Sequence, residues 1–497
     1  MSEIIEPRLQ ANESAHIAPL AIPKGEEVTA NSLRQVFSKQ DSNRWNMAST
    51  SAAQRIAKLV RIRQAIFSHQ EELQQAIYQD FGKNPAEVDL TEIYPTISEI
   101  NHTIRHLKKW MKPKRVGTPL ALFGTHSKIH YEPRGLVLVL SPWNYPFNLL
   151  INPLVAAIAA GNCVIVKPSS KVPHTSNFIK TFLGKLFDES EVAVFEGSSD
   201  VSNELLKLPF DHIFFTGSPR IGKTVMQAAA KNLATVTLEL GGKSPVILDE
   251  TADVKKAAER IMWGKFINAG QTCVAPDYLL IHESKIAAFV DQAKKVIAKR
   301  YGETESARKS SPDFCRLVSK GHLQGLKSIL DTTVGQGAKI EIGGQFDQEQ
   351  RYLSPTLLSN VSNDMLIMQE EIFGPILPMI TYRHIDEAFK IIRSKEKPLA
   401  FYIFSQNKAA TQNMIMQSTA GGTCVNSLIL HLANPDLPFG GVGHAGMGNY
   451  HGHFGFRALS HERAVLHQSK LFDSLKFFYP PYTDFVKRLI RLATKYL

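Results

Sequence analysis

The sequence predicts an α/β fold built on a doubly wound parallel sheet, and three observations carry that expectation. Short apolar runs alternate with helical segments between Gly135 and Ile247, a second α/β stretch follows from Asp253 to about Gly421, and 497 residues are too many for one ordinary core. Sheets of this kind bind ligands beyond the carboxyl ends of their strands.

In chain order, residues 1–28 read as a polar tail. From about Thr50 to Trp110, apolar residues recur at three- and four-residue spacing among charges, which predicts amphipathic helices packed on another layer. Lys112-Pro113 ends that run, and KIHYEPRGLVLVLSPW begins extended structure. Strands are expected at LVLVL, CVIVK, EVAVF, HIFFT and TVTLEL, with helices at 151–160, 174–187, 200–207 and 220–231 between them. A Gly- and His-rich segment, PFGGVGHAGMGNYHGHFGF, closes the folded part. After Tyr479-Pro480-Pro481 the spacing predicts a helix, with Phe485, Val486, Leu489, Ile490, Ala493, Tyr496 and Leu497 on one face. Lys487, Arg488, Arg491 and Lys495 occupy the other, so this helix suits either an anionic bilayer or a protein surface.

Composition removes several classes. Apolar content of 43% and charged content of 21% are those of a folded globular protein. The net charge of +11 is scattered and forms no basic stripe interleaved with aromatics, so no nucleic-acid partner is expected. Cys163, Cys273, Cys315 and Cys424 are widely spaced without a CxxC pair, which suggests neither a metal site nor a disulfide framework and points to a reducing compartment. The N-terminus has no apolar signal segment, and no stretch approaches the roughly 18 apolar residues of a membrane span. The expected location is the cytoplasm, with peripheral membrane contact through the last helix.

One motif points elsewhere. Gly217 to Thr224 reads GSPRIGKT, a full match to the phosphate-binding loop G-x-x-x-x-G-K-[ST], and VILDE at 246–250 resembles the acidic strand that holds its magnesium. In a nucleotide hydrolase Lys223 would sit on the terminal phosphates and Thr224 on the metal. Two features oppose this. Only about 20 residues separate the motifs, and Pro219 removes an amide from a loop whose use is to donate amides. The same residues suit a helix N-terminus facing a dinucleotide pyrophosphate.

Cys273 raises the chemical question. In FINAGQTCVAP it belongs to a short polar patch, Asn268 to Cys273, and that patch is expected to be the surface shown to a substrate. Together with SPWNYPF, LELGGKSP, EEIFGP, EKPLAFYIFS and PFGGVGHAGMGNYHG, this segment resembles the aldehyde dehydrogenase superfamily, and its class 3 branch above all. The resemblance runs from about residue 30 to about 480. It implies NAD(P)-dependent oxidation of medium- or long-chain aliphatic, or aromatic, aldehydes to carboxylic acids; a non-catalytic membrane-associated binding protein is the remaining alternative.

The resemblance also assigns residues. Cys273 is the nucleophile, because a thiolate adduct of an aldehyde can expel hydride. The Asn144 side chain and the Cys273 N–H form the oxyanion hole, and Glu239 is the base that activates water for thioester hydrolysis. Asn144 has a second use as a helix cap, and Glu239 as an ion-paired strand end. Around the cofactor stand Trp143, Lys167, Gly217, Ser218, Gly222, Leu240, Glu371 and Phe373, while Gly241 and Gly242 let the chain turn and come close. Many family members read KPxE after the lysine; this chain has Ser170 between Lys167 and Lys171. A carboxylate there repels a 2′-phosphate and a serine does not, so NADP is expected to serve at least as well as NAD.

The implied architecture has a Rossmann-like NAD(P)-binding domain of 29–112 and 133–240 and an α/β catalytic domain of 241–421. A small bridging arm of 113–132 and 422–470 would support a homodimer, and 471–497 forms the basic amphipathic end. The apolar stretch CVNSLILHLANP, 424–435, is expected to line the substrate tunnel.

Overall fold

In this computed structural model, residues 28–496 are described, apart from 472, 474, 475, 477 and 478; of the tail expected at 1–28, all but Val28 lies outside them. Four long helices open the chain: α1 (Ala30–Ala48), α2 (Ala52–Ser68), α3 (Gln70–Phe81) and, after the single turn α4 (Pro85–Val88), α5 (Tyr94–Trp110). The helical pattern read from the sequence began only near Thr50, so α1 is an addition. It starts at a capping box in which the Thr29 and Ser32 side chains each bond the other's backbone amide. Its few buried residues, Leu33, Val36, Gln40 and Met47, leave a polar surface that hides its periodicity.

Strands β1 (Lys114–Val116) and β2 (Thr125–Pro133) pair antiparallel, and 460–468 returns to β2 over nine residues to complete a three-stranded sheet. The alternating region then runs as β3 (Leu136–Leu140), α6 (Asn148–Ala160), β4 (Cys163–Lys167), α7 (Pro173–Leu186), β5 (Val192–Val194), α8 (Ser199–Leu205), β6 (His212–Gly217), α9 (Pro219–Lys231) and β7 (Thr235–Leu240). All five strands are parallel, in the order β5-β4-β3-β6-β7, and 446–447 adds an antiparallel edge beside β7. Both faces are buried. Leu136, Leu138 and Leu140 of β3 pack with Cys163, Ile165 and the residues of α1 and α9, while Val137 and Val139 face α2, α5 and α6.

This order positions the site. From β3 the chain winds outward through β4 and β5, then returns to the other side of β3 for β6 and β7, so the order reverses between β3 and β6. A crevice opens at such a switch point, bounded here by the residues after Leu140 and after Gly217.

The second large sheet contains β8 (Pro245–Leu248) and, after α10 (Val254–Phe266), β9 (Tyr278–His282). Its seven strands run 339–342, 356–359, 376–382, β9, β8, 400–404 and 422–425, parallel except at the first. Of the segment 422–470, then, 422–425 joins this sheet, 446–447 the six-stranded one and 460–468 the three-stranded one. The helix foreseen at the end is present at Asp484–Tyr496, and none of its residues is fully buried. No described helix is long and apolar enough to cross a membrane.

Candidate active site

Cys273 stands seven residues beyond the end of α10, after a turn the backbone enters under strain. Asn268 (φ 54°), Ala269 (φ 51°) and Gly270 (φ 74°) are three successive residues in the left-handed region, an arrangement that persists only when surrounding contacts enforce it. Those contacts are polar. Asn268 Nδ2 donates to the carbonyls of Asn144 (2.9 Å) and Gln271 (3.0 Å), and its N–H to Glu87 Oε1 (2.8 Å). Gln271 donates to the carbonyls of Asn268 and Arg316 and accepts from the Val318 N–H. Asn268 and Gln271 are fully buried, which corrects one expectation: these side chains hold the turn together and are not shown to a substrate. A Cβ at Gly270 would lie 2.3 Å from the Gly374 carbonyl, so this turn packs directly on FGP of EEIFGP.

The thiol lies between two cavities. One, of about 240 Å³, is lined by Pro142, Trp143, Asn144, Thr216, Gly217, Ser218, Glu239, Leu240, Gly241, Glu371 and Phe373. It is the crevice at the switch point. The other, of about 190 Å³, is largely apolar, with Leu90, Tyr94, Leu149, Trp263, Ile429 and Leu432 among its walls. Cys273 belongs to both. Burial, then the Glu371 and Glu239 carboxyls, push its thiol up to about 12, so at neutral pH the resting sulfur carries its proton.

Glu239 is the penultimate residue of β7, with both oxygens buried and without a partner among the described residues. Burial alone raises its carboxyl well above the ordinary range. Asn144 is buried, and one Nδ2 hydrogen goes to the Gln271 carbonyl (3.1 Å), leaving the second uncommitted. Glu371 approaches the two glycines after Glu239: a Cβ on Gly241 would sit 2.0 Å from its Oε2. Gly241 therefore makes room for that carboxyl, whose pKa is raised to about 8 by burial and by Asp277.

Sequence reasoning missed what aligns these segments. Lys243 Nζ, buried, meets Asp277 Oδ2 at 2.5 Å and donates to the carbonyls of Ile367 (2.9 Å) and Glu370 (2.7 Å). Asp277 Oδ1 accepts from the Ile372 N–H (2.9 Å). This pair clamps LELGGKSP and EEIFGP together. Lys243 sits inside a quoted motif, and nothing in its neighbours along the chain announces a partner 34 residues away.

The crevice residues fit a dinucleotide. Gly222 brings α9 against β7, since a Cβ there would meet Leu240 at 2.7 Å. Ser218 caps α9 without spending its side chain on a capping bond, and the buried Thr216 hydroxyl has no partner among the described residues. The helix N-terminus thus offers free donors to a phosphate group. Lys167, at the end of β4, is buried, which lowers its pKa; Ser170 is exposed three residues further on. Trp143 and Phe373 meet edge to face at 5.3 Å, with His322 behind them bonded to the Phe373 carbonyl.

The phosphate-loop reading fails on topology. VILDE lies on β8 and the residues after it, in the other sheet from GSPRIGKT, and Asp249 spends its carboxylate on the Thr251 N–H and hydroxyl. Lys223 and Thr224 are exposed on α9. No group of three or more His, Cys, Asp or Glu able to hold a metal ion occurs among the described residues.

A ligand crevice at the switch point of a Rossmann-like sheet, joined through one thiol to an apolar chamber, defines a nicotinamide-dependent oxidoreductase. The chain belongs to the aldehyde dehydrogenase family, whose model matches residues 20–465. It is 47% identical to the 4,4'-diaponeurosporen-aldehyde dehydrogenase of Staphylococcus aureus, over 86% of this chain and 91% of that one. It is 41% identical to the dimeric NADP-preferring aldehyde dehydrogenase of Rattus norvegicus, over 89% and 96%. A solved structure of the substrate-bound state of Staphylococcus aureus AldH superposes with a TM-score of 0.89 at 44% identity, covering 93% of this chain and 99% of that chain. The protein is an aldehyde dehydrogenase of the class 3 kind that oxidises aldehydes to carboxylic acids with NAD(P), and neither the hydrolase nor the non-catalytic alternative stands.

Proposed function

We propose that Cys273 forms a thiohemiacetal and then a thioester with medium- or long-chain aliphatic, or aromatic, aldehydes entering through the apolar cavity. The observation that carries this reading is the position of Cys273 in the walls of both cavities. Ile429, Leu430, Leu432, Ala433 and Pro435 line the apolar chamber, in keeping with the tunnel expected at 424–435. The Cys273 thiol gives its proton to solvent water, the thiolate attacks the carbonyl carbon, and the developing alkoxide is taken by the second Asn144 Nδ2 hydrogen and the Cys273 N–H. When bound, oxidised nicotinamide would accept the hydride. Trp143, Lys167, Ser170, Gly217, Ser218, Gly222, Leu240, Glu371 and Phe373 would hold that cofactor. Glu239, once deprotonated, takes a proton from water as it attacks the thioester and returns it to the departing sulfur, so that the thiol is regenerated and the carboxylic acid released.

Ser170 beside Lys167 and Lys171 supports use of NADP at least as readily as NAD, and one relative is named NADP-preferring. The six-stranded sheet with its helices serves as the cofactor domain, the seven-stranded sheet as the catalytic domain, and the three-stranded sheet as the arm of a homodimer; that relative is also named dimeric. The last helix contacts anionic membrane from a cytoplasmic protein, a reading supported by its basic face and by exposed Phe485, Ile490 and Leu492.

The test is absorbance at 340 nm with decanal or benzaldehyde and either cofactor, wild type beside Cys273→Ala. The wild type reduces the cofactor with at least one aldehyde and the variant with none. Equal rates in the two would remove Cys273 from the chemistry.

A further inference from the structure

A buried cation that the mechanism leaves unused reaches the two segments carrying Asn144 and Cys273. Lys83 lies two residues beyond α3, and its side chain is wholly shielded from solvent. Its Nζ has no hydrogen-bond partner among the described residues. Its ion-pair partner among them, Glu92 Oε1 at 4.0 Å, is equally buried and equally without a hydrogen bond. Three N–H donors therefore go unspent, a costly state for a buried ammonium. What offsets it is aromatic: Nζ lies 4.7 Å from the ring centre of Tyr145 and 5.3 Å from that of Phe81. Ring faces attract a desolvated cation, so Lys83 and Tyr145 fix each other's position.

Tyr145 carries that fixed position into the site. It follows Asn144 directly, and its hydroxyl is bonded to Thr272 Oγ1 at 2.7 Å, on the residue before Cys273. Asn144 meets the same segment through Nδ2 on the Gln271 carbonyl (3.1 Å) and through its own carbonyl, which accepts from Asn268 Nδ2 (2.9 Å). The carboxyls that answer Lys83 hold these two segments as well. Glu92 Oε2 accepts from the Asn148 N–H (2.8 Å) at the start of α6, and Glu87 Oε1 from the Asn268 N–H (2.8 Å) in the strained turn. Burial raises both carboxyls, and Lys83 opposes the rise in each. Lys83 itself lines neither cavity, and the Cys273 proton is governed by burial, Glu371 and Glu239.

We propose that Lys83 is a positioning residue for the oxyanion hole: its ammonium, seated on the Tyr145 ring and paired with Glu92, sets the Asn144 segment against the one carrying Cys273. The proposal rests on Asn144 and Cys273 having the roles given them above. It assigns Lys83 to the transition state through Tyr145, with no contact to aldehyde or cofactor.

Two variants of the full-length protein test it. Lys83→Met strands Glu92, so it is compared with Lys83→Met/Glu92→Gln, in which neither member of the pair is charged and the amide oxygen still accepts from the Asn148 N–H. Three readouts are taken: the first-turnover rate at 340 nm with saturating decanal and NADP, the KM for NADP, and the rate of iodoacetamide alkylation at Cys273. Alkylation needs the thiol but no oxyanion hole. In both variants the first turnover is expected to slow at least about tenfold, short of the roughly hundredfold that a displaced reacting group can cost. The KM for NADP and the alkylation rate are expected to stay within about twofold of wild type, since the thiol and the crevice are untouched. The double variant should melt closer to the wild type than Lys83→Met and remain as slow. A double variant that regains the wild-type rate, or one that does not fold, would make Lys83 a requirement of stability alone and overturn the proposal. Alkylation or the KM for NADP changing in step with turnover would overturn it too. Absence of decanal oxidation in the wild type would instead sink the reading of the site on which it rests, so the two failures are told apart.

Discussion

Two groups whose ordinary pKa values straddle neutrality are both displaced upward at the site, and that sets the chemistry at the scale of single residues. Cys273 is raised to about 12 and Glu239 well above its usual value, each chiefly by burial. A carboxyl with no partner for either oxygen is a poor choice for stability and a suitable one for a base that must release its grip on a proton during turnover. The sign follows from linkage. Folded Glu239 keeps a proton that the unfolded chain gives up above its ordinary value, so its destabilising effect is absent in acid and grows as pH rises. Glu239→Gln should therefore melt higher than wild type at pH 8, with the gap closing towards pH 4. The hydrolytic rate of the wild type should climb with pH as Glu239 ionises, and the glutamine variant should lose that limb together with most of its turnover. Cys273, Asn144, Glu239, Glu371 and Phe373 were legible because each lies inside a long quoted motif. Their environment was not, because burial of Glu239 depends on the return of 446–447 beside β7 some two hundred residues later.

At the scale of elements, the site is three loops held in register by buried polar contacts. The strained turn at 268–270 is fixed by Asn144, Glu87 and Gln271, and the Lys243–Asp277 pair ties the segment after β7 to the one carrying Glu371. Breaking a buried pair from one side strands the other charge, at a cost of about 3–5 kcal/mol. Lys243→Met should lower the melting temperature markedly and raise KM for the cofactor more than KM for the aldehyde, as steady-state kinetics with each varied in turn would reveal. Gly270→Ala places a methyl against the Gly374 carbonyl and a side chain at positive φ. It should depress soluble yield or melting temperature, whereas Gly325→Ala, on an open helix face with nothing within 4 Å, should not. The strands were legible nearly residue for residue, since five apolar runs bounded by turns admit few readings: CVIVK is β4 and TVTLEL is β7. The helix α1 was not, for lack of a continuous apolar stripe, and the bracing of the strained turn was not, since Asn268 and Glu87 stand 181 residues apart.

At the scale of the whole molecule, the two large sheets meet so that a cofactor crevice and an apolar chamber open onto one sulfur. The proposed use of NADP assigns cofactor choice to Ser170. Ser170→Glu should cut kcat/KM for NADP relative to NAD at least about tenfold, the repulsion of a 2′-phosphate by a carboxylate; an unchanged ratio would dissociate Ser170 from the preference. Deletion of 483–497 should abolish sedimentation with anionic liposomes and leave oxidation of decanal intact. The α/β class was readable from order and spacing, and the residues gathered around Cys273 from the family resemblance of their motifs. The apolar chamber was only hinted at by 424–435, because its remaining walls come from Leu90, Tyr94, Leu149 and Trp263, scattered through the chain. The central claim, that oxidation proceeds through an acyl group on Cys273, is tested most directly by trapping it. Glu239→Gln protein mixed with decanal and NADP, quenched in acid and digested, is predicted to carry the decanoyl mass on the peptide containing Cys273, in amounts close to one per chain. The same increment on a different residue, or its persistence in Glu239→Gln/Cys273→Ala, would contradict the account.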